Sequence, residues 1–251
     1  MVKNMNITEK ITGDLLCFHR NGLIDLSRTK PGTELQGEYY YAHLPLAVID
    51  AVFSKGQPYS VTAEIVNSYC DYFKMERNRA DDFFPETNDQ ESITQFIRKF
   101  IYEGEFSFRT QIFKNNEPAT SSMYSKSKAM AVFDFADLLQ ENGVEYFQDI
   151  EKVLYDTGFA ENVIKVTGMT DNNGLNYFFM LAGSNGTVRP VKSTIDFING
   201  FTNDEVSQEF SISIVNEVCS MLKSEFSSIT PRILGFLILE YMRKTKYDMP
   251  N

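Results

Sequence analysis

Along most of the chain, apolar residues recur at intervals of three and four, the spacing that places them on one face of an α-helix. The segment Leu44–Ser54, LPLAVIDAVFS, is apolar almost all round and predicts a central buried helix, with Pro45 tolerated in its first turn. The segment Ser125–Val144 carries one apolar face, and Asn142-Gly143 predicts its end. The pattern therefore predicts an all-α protein.

Seven further segments show helical patterns. They are Ser60–Phe73, Glu91–Gly104, Glu145–Gly158, Ala160–Gly168, Gly174–Gly183, Glu205–Phe226 and Pro231–Lys244. Ser60 is the predicted N-cap of the first of these helices, and Gly104 is the predicted end of the second. The segment Glu105–Phe113 has a strand-like pattern, which is too isolated to predict a sheet.

The composition excludes several classes of protein. The 251 residues contain no run of about 18 apolar residues and no secretion signal, which favours a cytoplasmic protein without a membrane partner. Cys17, Cys70 and Cys219 lie far apart and predict reduced thiols. With only two histidines, His19 and His43, a metal site is not expected.

The net charge of −10 bears on the choice of partner. Proteins that bind polyanions usually carry a basic surface, because phosphate contacts and counterion release supply much of the affinity. Nucleic-acid binding by this chain would therefore require its lysines and arginines to cluster on one face.

Three segments carry candidate binding groups. In VTGMTDNNGLNYFFMLAG, Gly168 and Gly174 would let a backbone turn approach a phosphate, or the segment is an ordinary connection between helices. Lys126 and Lys128 stand at the start of a helix, where they oppose the helix dipole. They would contact phosphates or an acidic partner, or form a solvated turn. Gln57 lies in a polar break, SKGQPYS, after the buried helix.

In their order and spacing, these segments resemble the helix-hairpin-helix DNA glycosylase superfamily, the endonuclease III type of base-excision enzyme, over residues 43–197. The Ser-x-x-Gln-like loop of that family is matched by VFSKGQ, which ends at Gln57. Its Tyr/Phe-x-x-Lys-Ala helix start is matched by Tyr124–Ala129, YSKSKA. Its Pro-Gly-x-Gly hairpin is matched loosely by VTGMTDNNGLNYFFMLAG.

The resemblance implies two interlocked helical lobes that bind duplex DNA and receive a flipped base in a cleft. We divide the chain accordingly into an N-terminal segment, 1–42, that packs with the C-terminal lobe, a central lobe, 43–165, and a hairpin with the C-terminal lobe, 166–251. The implied DNA-binding residues are Gln57, Ser125, Lys126, Lys128, Gly168, Thr170, Asn172 and Gly174. No cofactor is expected, because the four-cysteine iron–sulfur cluster is absent from the sequence.

The chain departs from the family where chemistry is concerned. The family closes on a Val-Asp-Thr-His segment, and here RPVKSTIDF puts Lys192 at the position of the aspartate, or Val191 with a shift of one residue. Asp196, one helical turn further on, is expected to point elsewhere. The second hairpin glycine is replaced by Thr170. Where bifunctional members carry a lysine, this chain has Asp171–Asn173, which includes Asn172.

Lys192 is therefore the candidate catalytic residue. It would act as a nucleophile if burial lowered its pKa. Protonated, it would instead repel the positive charge that the aspartate stabilises, and the loss of one such partner costs roughly 3–4 kcal/mol of barrier. A third interpretation is that Lys192 lies at the surface of a remodelled pocket.

The sequence thus favours a DNA-binding, base-excision-type protein that recognises a damaged or modified base, in repair or phage defence, with catalysis lost or altered. The alternative is an inactive pseudo-glycosylase that binds a protein partner as a subunit or adaptor. A third hypothesis retains the N-glycosidic chemistry on a free nucleoside or nucleotide.

Overall fold

The computed structural model describes residues 6–27, 40–80, 83–122, 125–166, 169, 172–182, 192–202 and 205–247. These residues are all-α, as predicted, and β-structure among them is limited to two isolated bridges, Tyr41–Asn78 and Pro118–Ser127. The α-helices are α1 (Ile7–Arg20), α2 (Leu44–Phe53), α3 (Tyr59–Phe73), α4 (Ile93–Ser107), α5 (Lys128–Glu141), α6 (Thr157–Lys165), α7 (Asn172–Ala182), α8 (Lys192–Asn199), α9 (Gln208–Leu222) and α10 (Pro231–Tyr247).

The helices form two compact units. Helices α2 to α7 belong to one unit, and α1 belongs with α8, α9 and α10 to the other. In the second of these units α1 contacts α9, while α10 contacts both α8 and α9. Tyr241 of α10 stacks on Phe18 of α1, with ring centroids 4.7 Å apart, and meets Phe197 of α8 edge-on at 6.1 Å.

Helix α2 is the centre of the larger unit. All ten of its residues are buried, and it contacts α3, α4, α5 and α7, which confirms the predicted central helix. Pro45 lies in its first turn, as predicted. The surrounding core is rich in phenylalanine: Phe108 packs against Phe100 at 4.4 Å and against Phe113 at 5.2 Å between ring centroids. Burial of these rings supplies much of the drive for folding.

One predicted helix boundary was wrong, and a second was confirmed. Helix α3 begins at Tyr59 after Pro58, whose extended backbone takes the N-cap position, so Ser60 is already inside the helix. The backbone of Gly104 is non-helical, with φ at +78°, so the first helical stretch of α4 ends there as predicted. A second helical stretch resumes after this kink and reaches Ser107. A turn of π-helix, Phe108–Ile112, follows, so the strand-like segment that begins at Glu105 is helical up to Ile112. Glycine supplies the positive φ that the kink requires, and burial of Phe108 favours the helical turns that follow it.

The start and end of α5 follow the sequence closely. The Ser127 hydroxyl accepts the Met130 N–H at 3.1 Å and caps the helix. Asn142 is the C-cap, and Gly143 adopts a φ of +70°, which confirms the predicted stop signal. Between α5 and α6 lies a 3₁₀ helix, Phe147–Lys152.

Candidate functional site

Gln57 and Lys128, two of the residues predicted to contact DNA, meet at the carboxylate of Glu117. The Lys128 ammonium nitrogen lies 3.3 Å from Glu117 Oε2, and the Gln57 side-chain amide donates to the same oxygen. The ammonium group also donates to the carbonyl oxygens of Phe53, at 3.3 Å, and Lys55, at 2.9 Å. The structure thus joins two distant sequence motifs in one polar cluster.

This arrangement explains why a lysine stands at the start of α5. Phe53 is the last residue of α2, and the last carbonyl groups of a helix lack partners inside the helix. A buried ammonium group there satisfies these carbonyls and complements the negative end of the α2 dipole. Lys128 therefore stabilises the end of α2 and is not presented to solvent.

Ser125 and Lys126 lie in the 117–128 loop, which is closed by backbone hydrogen bonds. The Ala119 N–H donates to the Lys126 carbonyl at 2.8 Å, and the Lys128 N–H donates to the Glu117 carbonyl at 3.0 Å. The Ser125 hydroxyl accepts the Thr120 N–H at 2.8 Å. Lys126 is half-exposed and pairs with Asp134 of α5 at 2.7 Å. The loop therefore holds Lys126 at the surface.

The predicted phosphate-binding hairpin is described only in part. Gly168 and Thr170 lie outside the described residues, as does the side chain of Asn172, whose backbone begins α7. Gly174 is half-buried, and a Cβ atom placed on it would lie 3.0 Å from the sulfur of Met169. Because Met169 is fully buried, Gly174 serves the packing of the Met169 side chain.

Lys192 is the exposed first residue of α8. Its ammonium group donates to Asp196 Oδ1, one helical turn further on, at 2.8 Å. The hydrogen bond and the negative charge of Asp196 raise the pKa of Lys192. A lysine nucleophile needs the opposite shift, toward the neutral amine. In this setting Lys192 is an ammonium group at the surface.

Sequence reasoning missed a buried polar cluster in the larger unit. The Glu91 carboxylate, whose side chain is 4% exposed, lies 2.6 Å from the Lys99 ammonium nitrogen. The Tyr69 hydroxyl lies 2.9 Å from both carboxylate oxygens. The Glu91 N–H donates to His43 Nδ1 at 2.8 Å. These residues come from three separate segments, with Glu91 and Lys99 in the same one, so no single motif in the sequence points to them.

The cluster shifts the acid–base properties of its members. Burial raises the pKa of Glu91, and Lys99 opposes this shift only in part. Burial and the nearby Glu91 charge raise the pKa of Tyr69 well above its ordinary range. Burial and the Lys99 charge lower the pKa of His43, although the Glu76 carbonyl acts in the other direction. Because His43 Nδ1 accepts a hydrogen bond, the neutral ring carries its proton on Nε2.

A cavity of about 420 Å³ lies beside this cluster. It is lined by Asn88, Asp89, Gln90, Glu91, Gln95, Arg98 and Lys99. A cavity with a few polar groups in its wall, next to groups with shifted pKa values, is the usual setting of a ligand-binding or catalytic site. The larger unit therefore contains a candidate site other than the one that the family resemblance implies.

Neither grouped metal ligands nor a bilayer-spanning helix occurs in the part of the chain that the structure describes. The three cysteines are free. Burial raises the pKa of Cys70 to about 12 and also raises that of Cys219, so neither is activated as a thiolate nucleophile.

No curated protein and no solved structure matches the chain. The family described as "Domain of unknown function (DUF8548)" matches residues 22–243. Because this match spans far more than half of the chain, the protein belongs to that family.

Proposed function

We propose that this chain is a catalytically inactive binding protein on a helix-hairpin-helix glycosylase-like scaffold, and that it holds a protein partner. The scaffold rests on the sequence resemblance, to which the all-α architecture conforms. The partner is supported by one observation: an exposed apolar surface on α4.

The absence of base-excision chemistry is supported by the state of Lys192. The position that matches the family aspartate holds an exposed ammonium group paired with Asp196. An ammonium group repels the positive charge that develops on the sugar. Because its pKa is raised, the side chain is not the neutral amine that could attack the sugar as a nucleophile. Lys192 therefore supports neither hydrolysis of the glycosidic bond nor nucleophilic attack by a lysine.

The partner surface is the α4 patch, which we define as Ile101, Tyr102 and Phe106. These side chains are 68%, 88% and 75% exposed, although Phe100 and Phe108 of the same stretch are buried in the core. Apolar and aromatic side chains are the usual anchors of protein interfaces, and three exposed ones within six consecutive residues support an interaction site here. The net charge of −10 also favours a protein partner over a polyanion.

The test is quantitative co-purification from the native host, with wild type, a Tyr102→Ser/Phe106→Ser variant and a Phe210→Ser control. Phe210 is an exposed phenylalanine of α9 in the other unit. We expect one stoichiometric partner to co-purify with the wild type and with the control. The amount recovered with the α4 variant should fall by about tenfold or more, because the variant lacks two interface anchors. A wild-type protein that remains alone, or a partner retained equally by all three proteins, contradicts the proposal.

Release of a base from damaged duplex DNA by the wild type, lost in Lys192→Ala, would overturn the inactive assignment. That assay is independent of partner capture. The two parts of the proposal therefore fail separately.

Duplex DNA binding is the second candidate function, favoured by the 117–128 loop. This loop holds Ser125 and half-exposed Lys126 just before the start of α5. Recognition of a modified base, in repair or defence, would depend on this function. Fluorescence anisotropy across a salt series tests it with Lys126→Glu and, as control, Lys10→Glu, an exposed lysine of α1. Salt-sensitive binding that only Lys126→Glu weakens supports DNA docking, whereas flat curves for the wild type reject it.

A further inference from the structure

The cavity beside Glu91, hereafter the Arg98 cavity, is lined by polar and charged residues, whose polar groups are either already hydrogen-bonded or available to a ligand. Several groups are already engaged. Glu91 is bound by Tyr69 and Lys99. The Gln90 side chain donates to the Pro85 carbonyl at 2.6 Å and to Gln148 at 2.9 Å. These contacts make the wall rigid without a ligand.

The start of α4, which borders the cavity, is also satisfied. The Ile93 N–H donates to the Glu145 carbonyl, the Thr94 N–H donates to the Glu145 carboxylate at 2.9 Å, and the Gln95 N–H donates to the Ser92 hydroxyl at 3.1 Å. The helix N-terminus therefore has no role in ligand binding here.

Other groups in the wall are available. Arg98 is exposed, and its guanidinium group has no hydrogen bond or ion pair to any residue that the structure describes. The Gln95 side chain uses only its oxygen, which accepts the Ser92 N–H at 2.8 Å. The Lys99 ammonium group is one-third exposed and has three N–H donors, of which Glu91 takes one and the Met75 sulfur, at 3.8 Å, takes another. The available groups at this side of the cavity are donors.

Hydrogen-bond acceptors lie in the same cavity wall. The side chains of Asn88 and Asp89 are exposed and have no hydrogen-bond or ion-pair partner within the described ranges. Asp89 and Arg98 are not within ion-pair distance of each other. The wall therefore presents N–H donors with positive charge at one place and acceptors at another, and the two do not neutralise each other.

We propose that the Arg98 cavity binds a small polyhydroxy oxyanion, a sugar acid or a sugar phosphate. The oxyanion lies against Arg98, with Gln95 and Lys99 as further donors, and the hydroxyl groups donate to Asn88 and Asp89. Arg98 selects the anion because its planar guanidinium group binds two oxygens of a carboxylate or phosphate together. A cavity of about 420 Å³ suits a ligand of this size. This site does not depend on the proposed protein partner.

Isothermal titration calorimetry with three probes tests the site: ribose 5-phosphate, gluconate and ribitol. The first two carry a phosphate and a carboxylate, and the third is a neutral polyol. We expect saturable binding of at least one anion and none of ribitol. Arg98→Ala is expected to weaken anion binding by about tenfold or more, the effect of losing charge-assisted hydrogen bonds.

The matched control is Arg243→Ala, an exposed arginine of α10 in the other unit, which should bind as wild type does. Thermal melting of each variant establishes that it is folded. Preference for ribose 5-phosphate assigns a phosphate ligand, and preference for gluconate assigns a carboxylate. The proposal is overturned if neither anion binds the wild type, if ribitol binds equally well, or if folded Arg98→Ala binds as wild type does.

Discussion

Helices α5 and α8 each begin with a lysine that is paired with a carboxylate, yet the two lysines stand in different surroundings. At the start of α5, Lys128 lies 3.3 Å from Glu117, and its side chain is 7% exposed. At the start of α8, Lys192 lies 2.8 Å from Asp196, and its side chain is 65% exposed. The closer pair is the more exposed one.

The difference shows that distance alone does not rank these ion pairs. Water and salt screen the pair at Lys192, and holding two flexible side chains together there costs entropy. The ammonium group of Lys128 is shielded from water and also satisfies two carbonyl groups at the end of α2. Its removal would leave those carbonyls without a partner, which is where most of the free-energy cost arises.

The Lys99–Glu91 pair extends the comparison to a carboxylate that is almost fully buried. The change Lys99→Met leaves Glu91 without its counter-charge, and we expect it to lower the free energy of unfolding by about 3 kcal/mol at pH 8. Urea titration monitored by circular dichroism measures this value. Lys99→Arg, which retains the charge, should lose much less.

The pH dependence of that loss follows from the sign of the pKa shifts. Because burial raises the pKa of Glu91, its ionised form costs stability, and this cost disappears as the pH falls through the raised pKa. Removing Lys99 raises this pKa further and also removes a charge that disfavours protonated His43. The gap between wild type and Lys99→Met should therefore narrow from pH 8 toward acid. A gap independent of pH contradicts the assigned roles.

Lys128→Met is the next largest expected effect. The substitution retains the apolar stem but removes the donors to Phe53 and Lys55, and we expect a loss of about 2 kcal/mol in the free energy of unfolding. The same urea titration measures it. A loss too small to detect would show that water readily replaces Lys128 at these carbonyl groups. The lysines at the starts of α5 and α8 would then not differ in their contribution to stability.

Glu117→Gln separates the charge of the Lys128 pair from its hydrogen bonds to the carbonyls. Glu117 is partly exposed, and the substitution leaves both carbonyl contacts of Lys128 in place, so we expect a loss of about 1 kcal/mol. Raising the salt concentration should reduce the difference from wild type. A loss as large as that of Lys128→Met would place most of the stabilisation in the ion pair.

Lys192→Ala should have the smallest effect of the four. Because the Lys192–Asp196 pair is exposed on one turn of α8, we expect no measurable shift in the urea midpoint at physiological salt. Asp196→Asn is the matched control. A clear loss of stability would show that the start of α8 is more enclosed than its exposure indicates.

The candidate site could be predicted from the sequence only in part. The motif order pointed to Gln57 and Lys128 separately, but not to their meeting at Glu117. The cluster of His43, Tyr69, Glu91 and Lys99 was missed altogether, since each residue looks ordinary in its own segment. Only packing reveals that Glu91 is buried and that its carboxylate needs both a tyrosine hydroxyl and an ammonium group.

What the sequence by itself determined is the all-α architecture, the buried helix α2, and the start and end of α5, because these depend on apolar periodicity and caps within a few residues. The tertiary structure alone decided that the strand-like pattern after Gly104 forms helical turns, which bury Phe108 in the core. It also decided which lysines are buried. The groups that surround a charged side chain come from segments distant in the chain, so a local sequence pattern does not predict them.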